Sequence, residues 1–137
     1  LDMAAAVTLA GPLAWEDMDA GTVSADPAAH GDVVLARKDA PASYHLAVVV
    51  DDAEQGVTHV IRGADLRTAT AVHRLLQALL GLPVPVWRHH PLLADAQGRR
   101  LAKRDGAPTI AALRAAGAIP AAVLRDLDAL PIVADGG

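Results

Sequence analysis

The 137-residue sequence predicts an α/β fold. Segments with the patterns of a strand, a helix and a second strand follow one another, and a charged loop comes after the last strand. Open α/β sheets bind their ligands at the carboxyl ends of the strands, so the charged loop lies where a ligand is expected. The composition is 53% hydrophobic but only 2% aromatic, so alanine, leucine and valine must fill most of the core.

The charge and the residue types exclude several classes of protein. The formal net charge is −4, which argues against a basic surface that coats nucleic acid. The sequence has no cysteine, which excludes disulfides, thiolate metal ligands and cysteine nucleophiles. No apolar run approaches the roughly 20 residues that span a bilayer, and the first residues lack the basic start of a signal peptide. We therefore expect a cytoplasmic protein without a membrane partner.

The first third of the chain contains the weaker signals. Residues 13–23 have the pattern of two short strands joined at a glycine turn. Residues 25–31 include a proline and a glycine and are predicted to form a loop. Residues 32–37 are rich in valine and leucine and predict a strand, which a turn around Pro41 ends.

The middle of the chain carries the elements that define the fold class. Residues 44–52 are ambiguous, because three successive valines favour a strand while the preceding Pro-Ala-Ser sequence suits a helix start. Residues 57–63 predict a strand that ends in glycine. Residues 70–81 predict the clearest helix, with apolar residues at helical spacing and a terminal glycine. Residues 84–93 predict a further extended segment, and two short helices are predicted over 109–117 and 120–127.

The charged loop spans residues 98–106. It places four cations within six positions between two glycines: Arg99, Arg100, Lys103 and Arg104. Lysine and arginine neutralise phosphate oxygens, and flanking glycines let the backbone approach a ligand closely. Two interpretations follow from the residues alone: a loop that closes on a polyphosphate, or a solvated surface turn.

Two further residues are candidates for substrate contact. Arg62 ends an apolar strand, where a charge is costly unless it is paired or faces a cleft. It is interpreted either as a structural ion pair with Asp51, Asp52 or Asp65, or as a bidentate grip on a substrate carboxylate. Tyr44 is the only tyrosine, and the alternative for it is a core residue whose hydroxyl bonds to the backbone.

Neither of the two adjacent pairs of metal-ligand residue types predicts a metal site. His89 and His90 lie next to each other on an extended segment, where neighbouring side chains point to opposite faces. Asp51 and Asp52 suit an exposed helix end or loop, because no further ligand follows at a metal-binding spacing.

Taken together, three segments resemble the class I aminoacyl-tRNA synthetases of the glutamyl type. They are residues 44–52, 56–66 and 100–104, with a helix ending at residues 79–83 between the last two. The resemblance implies the second half of a Rossmann-type catalytic domain, followed by short helices of a tRNA stem-contact region. It also implies that residues 44–52 are helical.

The same resemblance implies a division of the chain and a set of roles. Residues 1–30 would be the trailing part of the acceptor-binding insertion, 31–98 the second half of the nucleotide-binding fold, and 99–137 the KMSKS-type loop and C-terminal helices. Tyr44 and Arg62 would bind glutamate. Lys103 would be the catalytic lysine that holds the ATP phosphates, and Arg100 would stand at the first lysine of that motif. Ala102 replaces the usual serine.

The resemblance extends to substrates and partners. Residues 62–66 are similar to the short paralogue branch, whose members use ATP with Mg²⁺ to activate glutamate and transfer it to the queuosine base of tRNA(Asp). The alternatives are part of a glutamyl-tRNA synthetase that charges tRNA(Glu), or a non-catalytic remnant that binds RNA or protein. The HIGH-type motif and any zinc-binding cysteines would precede Leu1. We therefore expect the C-terminal half of a monomeric synthetase, inactive alone, with zinc only in the preceding half.

Overall fold

The structure is a computed structural model that describes residues 1–101 and 109–133. The chain forms two compact units, Leu1–His90 and Pro91–Gly137. None of the helices in these described ranges is long and apolar enough to cross a bilayer. The division of the chain at residues 30 and 98 that the resemblance implies stays a prediction.

The first unit is built on a four-stranded sheet. Its strands are β1 (Ala14–Asp17), β2 (Gly21–Ser24), β3 (His59–Gly63) and β4 (Val86–His90). Their order across the sheet is β2-β1-β4-β3, with β1 antiparallel to β2 and parallel to β4, and with β3 parallel to β4. The predicted two-stranded element over residues 13–23 is therefore confirmed. Because β1, β4 and β3 run in the same direction, their carboxyl ends lie at one edge of the sheet.

Three helices pack in this unit: α1 (Met3–Ala10), α2 (Tyr44–Glu54) and α3 (Ala69–Leu80). Helix α2 confirms that the valine-rich segment is helical. The Ser43 Oγ accepts a hydrogen bond from the Leu46 N–H at 3.4 Å, which satisfies a free donor of the first turn. The buried Val49 of α2 packs in one core with residues of α3, so tertiary packing outweighs the strand propensity of the valines.

Helix α3 is the centre of the first unit. Its apolar face, Val72, Leu75 and Leu76, is at most 2% exposed and packs against α1 and α2. Gly81 ends the helix with φ of 66°, in the left-handed region that favours glycine. The helix and its glycine stop agree with the prediction for residues 70–81.

A second, smaller core lies on the sheet. Trp15 of β1 and Trp87 of β4 meet edge to face, with ring centroids 6.5 Å apart, and Ala71 of α3 packs against them. Each of these large rings buries more apolar surface than an aliphatic side chain, which matters in a chain with few aromatic residues.

The strand predicted over residues 32–37 is wrong. Val33 exchanges two hydrogen bonds with Leu1, and the Ser43 N–H donates to the Leu35 carbonyl at 2.7 Å. Its partners are thus the chain start on one side and the approach to α2 on the other. Because no single neighbouring strand runs alongside it, the segment forms isolated bonds and not a ladder.

The second unit contains β5 (Leu92–Leu93), β6 (Ile132–Val133), α4 (Ile110–Ala115) and α5 (Pro120–Asp128). Strands β5 and β6 pair in antiparallel fashion. The Thr109 Oγ1 accepts from the Ala112 N–H at 3.1 Å and caps α4, while α5 starts at a proline. Both short helices were predicted from the sequence and are confirmed.

Candidate active site

Polar side chains gather where β1, β4 and β3 end. Arg62 of β3 lies opposite His89 of β4 in the sheet register, and Asp17 ends the neighbouring β1. Helix α3 adds two more polar side chains, Thr70 and His73, both at most 2% exposed. Three adjacent strands and one helix therefore converge on the edge of the sheet at which α/β proteins bind ligands.

Within the described residues, four hydrogen bonds hold the Arg62 guanidinium. Its Nη2–H donates to the Thr70 Oγ1 at 2.7 Å, and its Nη1 lies 3.2 Å from the His73 Nδ1. Weaker contacts join Nη1 to the Tyr44 hydroxyl at 3.5 Å and Nε to the His89 Nε2 at 3.4 Å. Bonds from both sides of the fork fix the plane of the guanidinium, which a lone arginine on a strand would not achieve.

Asp17 and His89 form a buried pair behind Arg62. The His89 Nδ1 lies 2.8 Å from the Asp17 Oδ2, and both side chains are 0% exposed. The other Asp17 oxygen, Oδ1, accepts from the Asp19 and Ala20 N–H groups at 3.0 and 3.1 Å. Both carboxylate oxygens therefore have donors, which is the condition for burying this charge.

His73 and His45 form a second pair beside the arginine. The His45 Nδ1 lies 2.9 Å from the His73 Nε2, and the Tyr44 ring packs on both imidazoles. Because the Arg62 N–H groups can only donate, the His73 Nδ1 accepts, and the single proton of a neutral His73 lies on Nε2 and is donated to His45. The pair therefore extends the ordering of Arg62 as far as α2.

The pKa values of this cluster favour uncharged imidazoles around one cation. Burial, aided by the Arg62 charge, lowers the pKa of His73 to about 3. Burial also lowers the pKa of His89, although the bond to Asp17 opposes it. For Asp17, burial alone would raise the pKa, but hydrogen bonds from His89 and two backbone N–H groups outweigh it and lower the pKa. Asp17 is thus ionised at neutral pH while His73 and His89 are not.

Two of the four predicted site residues come together here. Arg62 and Tyr44 are in contact, and Tyr44 is 52% exposed, so it is not a core tyrosine. The four described partners of the Arg62 guanidinium are uncharged. The alternative interpretation of Arg62, a structural ion pair, required a carboxylate among these partners. Asp52 and Asp65 act on Arg62 only as neighbouring charges. A cation held by neutral groups keeps its charge available for an incoming anion.

The other two predicted site residues belong to the charged loop. Arg100 lies in the second unit, where it pairs with the buried Ala94 in an isolated antiparallel bridge. Just before it, Arg99 forms an ion pair with Asp95 at 2.8 Å across a turn that contains Gly98. Because the Arg99 guanidinium is already paired within the turn, we do not expect Arg99 to bind phosphate. Lys103 lies outside the described residues, and its role stays a prediction.

Four residues of the described cluster were missed by sequence reasoning: Asp17, His45, Thr70 and His73. Asp17 lies 72 residues from His89 in the chain, and no local pattern signals such a contact. A weaker signal did exist on α3, because Thr70 and His73 are polar and three residues apart, which places them on the same face of the helix. His89 was considered only as a metal ligand. The burial of His89 and exposure of His90 confirm that the two point to opposite faces.

The buried, neutral His73 predicts a loss of stability in mild acid. Its pKa is about 3 in the folded protein and about 6.5 when unfolded. Between these values the unfolded state binds the extra proton, so the free energy of unfolding falls as the pH falls, by up to about 1.4 kcal/mol per pH unit. Chemical denaturation of the complete gene product over this range is expected to show a shallower slope for His73→Gln than for the wild type. Equal slopes would contradict the assignment.

Comparison with known proteins identifies relatives of this architecture. The family described as tRNA synthetases class I (E and Q), catalytic domain, matches residues 4–134. The chain is 61% identical over 95 residues to a Glutamyl-Q tRNA(Asp) synthetase of Rhodobacter capsulatus, covering 69% of this chain and 34% of the relative. It is 50% identical over 115 residues to one of Symbiobacterium thermophilum, covering 84% and 36% respectively.

A solved structure is similar as well. The crystal structure of a glutamate-tRNA synthetase from Elizabethkingia anophelis superposes with a TM-score of 0.60 and 34% identity. The match covers 70% of this chain and 20% of that one. The chain thus spans about a third of the length of the curated relatives named above. The α/β fold predicted from the sequence is confirmed as part of a synthetase catalytic domain, with three parallel strands and the antiparallel edge strand β2.

Proposed function

Because the chain belongs to the family of class I tRNA synthetases for Glu and Gln, within its catalytic domain, we propose that it forms part of an enzyme that activates glutamate with ATP. The activated glutamate is then transferred to the queuosine base of tRNA(Asp). The observation that carries the proposal is the Arg62 guanidinium, held by neutral groups beside the exposed Tyr44 at the carboxyl ends of three strands.

Glutamate recognition rests on Arg62 and Tyr44. A guanidinium whose plane is already fixed binds a carboxylate through two parallel N–H bonds without losing further side-chain freedom. In the described part of the chain, one Nη2 hydrogen of Arg62 has no partner, and the Nη1 contact to Tyr44 is long at 3.5 Å. A substrate carboxylate would use these donors, and the Tyr44 hydroxyl would add a third.

The ATP side of the reaction is assigned to Lys103 and Arg100. An oxygen of the glutamate α-carboxylate attacks the α-phosphorus of ATP, the bond from that phosphorus to the oxygen bridging to the β-phosphate breaks, and pyrophosphate leaves with the negative charge. Lys103 and Arg100 would stabilise that charge electrostatically. Mg²⁺ offsets phosphate charge when bound to ATP. Within the described residues no group of three His, Cys, Asp or Glu side chains is placed to hold a metal.

The choice of tRNA(Asp) rests on the similarity to Glutamyl-Q tRNA(Asp) synthetases at 50–61% identity. The compartment that this implies is the cytoplasm, where tRNA is available. A second candidate, the charging of tRNA(Glu), is favoured by the structural similarity to a glutamate-tRNA synthetase. The two candidates share glutamate activation and differ in the acceptor.

Transfer of labelled glutamate by the complete gene product separates these candidates. We expect label on tRNA(Asp) that carries queuosine, and none on tRNA(Asp) that lacks it. Label on tRNA(Glu) instead would establish the second candidate. If no tRNA is labelled and glutamate does not stimulate ATP–pyrophosphate exchange, the proposed function is wrong and a non-catalytic role remains.

A further inference from the structure

The cluster contains a buried carboxylate, Asp17, whose side chain is 0% exposed. Asp17 ends β1 and hydrogen-bonds to His89, and His89 lies opposite Arg62 in the sheet register. His89 thus separates the carboxylate from the guanidinium. A buried charge is tolerated only where it is paired and hydrogen-bonded, and the loss of one partner of such a pair is strongly destabilising.

Asp17 and Arg62 are connected by hydrogen bonds through His89 and Thr70, and these bonds fit one set of proton positions. An ionised carboxylate only accepts, so the proton of the neutral His89 lies on Nδ1, 2.8 Å from Asp17. The His89 Nε2 is then a lone pair, 3.0 Å from the Thr70 Oγ1 and 3.4 Å from the Arg62 Nε. The Thr70 hydroxyl donates to that nitrogen, and its own lone pair accepts from the Arg62 Nη2–H at 2.7 Å.

The other tautomer of His89 would break this order. A proton on Nε2 would point at the Arg62 Nε–H and would leave the Thr70 hydroxyl without its acceptor at 3.0 Å. Two donors would then face each other where the His89 side chain is 0% exposed, which is unfavourable. Thr70 has a second acceptor, the Leu66 carbonyl, but at 3.4 Å. The tautomer of His89 therefore decides how the Thr70 hydroxyl and the Arg62 guanidinium are oriented.

We propose that Asp17 is a positioning residue for glutamate binding: it holds His89 with its proton on Nδ1, so that Nε2 and Thr70 fix the Arg62 guanidinium for the substrate carboxylate. This role rests on the proposed function, since it requires that Arg62 binds glutamate. It assigns to the end of β1, in the segment predicted as an insertion, a part in amino-acid recognition.

The first test is the kinetics of Asp17→Asn in the complete gene product. Asparagine keeps the shape, but its oxygen stays with the Asp19 and Ala20 N–H groups, so its NH2 group faces the His89 Nδ1 and favours a proton on Nε2. The KM for glutamate is therefore expected to rise about 10- to 100-fold. The KM for ATP is expected to change less than about twofold, because the loss is confined to one ligand. The matched control is Asp19→Asn, two residues away, whose carboxylate pairs with Arg88 at the surface and is 54% exposed. Asp19→Asn is expected to behave like the wild type.

A double-mutant cycle separates positioning from general stability. In His89→Gln no imidazole remains between residue 17 and Thr70, so residue 17 can no longer act on Arg62 through a tautomer. Whatever the effect of His89→Gln alone, Asp17→Asn is expected to add less than about twofold to the glutamate KM in that background. An equal effect of Asp17→Asn in both backgrounds would show that Asp17 only supports the fold, and the proposal would fall.

Long-range ¹H–¹⁵N correlation of labelled histidines reads the tautomer itself. We expect His89, assigned by the signal lost in His89→Gln, to be protonated on Nδ1 in the wild type and to shift toward Nε2 in Asp17→Asn. A wild-type proton on Nε2 overturns the proposal even if Asp17→Asn does not fold. Normal glutamate kinetics in Asp17→Asn, together with a lost response in Arg62→Ala, would overturn the positioning role while leaving the proposed function intact.

Discussion

Replacing Arg62 by alanine is expected to lower kcat/KM for glutamate roughly 30- to 1,000-fold, which corresponds to about 2–4 kcal/mol of lost transition-state stabilisation. The substrate carboxylate would lose its charged partner in a half-buried site, where water replaces the guanidinium poorly. The effect is expected in glutamate-dependent ATP–pyrophosphate exchange, and mainly in the KM for glutamate. Arg62→Lys keeps the charge but not the planar fork, so most of the loss should remain.

Arg88→Ala provides the control for this experiment. Arg88 lies on the neighbouring strand β4, opposite Ile61 in the register, and its side chain is 50% exposed in an ion pair with Asp19. Exposed pairs of this kind contribute about 0–1 kcal/mol to stability. We expect Arg88→Ala to bind glutamate as the wild type does. Wild-type kinetics in Arg62→Ala would show that Arg62 does not bind the substrate.

Replacing Lys103 by alanine is expected to raise the barrier to adenylate formation by about 2–4 kcal/mol, the range for losing a preorganised group that meets developing charge. Because the charge on pyrophosphate develops in the transition state, the loss should appear in the rate of exchange more than in the KM for ATP. Single-turnover formation of the adenylate measures this step directly.

Arg99→Ala is the matched control within the same cationic segment. Arg99 already pairs with Asp95 across the turn, with its side chain 78% exposed, so its loss should leave the exchange rate within about twofold. Equal losses in Arg99→Ala and Lys103→Ala would mean that the loop acts through its total charge and not through one lysine.

The sequence predicts the elements of this fold where the signal is local. Helix α3 follows from the spacing of Val72, Leu75 and Leu76 and from the left-handed Gly81, all within one segment. The segment over 32–37 has similar apolar content but forms no strand, because strand formation depends on a neighbour that the local sequence does not supply. Residues 44–52 had strand-favouring valines, and the resemblance to a family decided correctly for a helix.

The site was predictable only where its residues carry a chemical signal of their own. Arg62 was identified because a charge at the end of an apolar strand needs an explanation, and Tyr44 because of the resemblance. The buried Asp17 gave no signal, since an aspartate beside a turn is ordinary in any sequence. Its role appears only when parallel pairing brings the ends of β1, β4 and β3 together, over separations of 72 residues and 27 residues.

The edge-to-face contact of Trp15 and Trp87 gives this site an optical reporter of its own. The chain has two tryptophans, and each precedes a member of the buried pair, Asp17 or His89, by two residues on the same strand. Both indoles are at most 6% exposed, so their ultraviolet emission responds to the packing and polarity of this corner of the sheet and to little else in the chain. Intrinsic fluorescence of this chain therefore follows the strands that carry the arginine and its buried counter-charge, without any attached label.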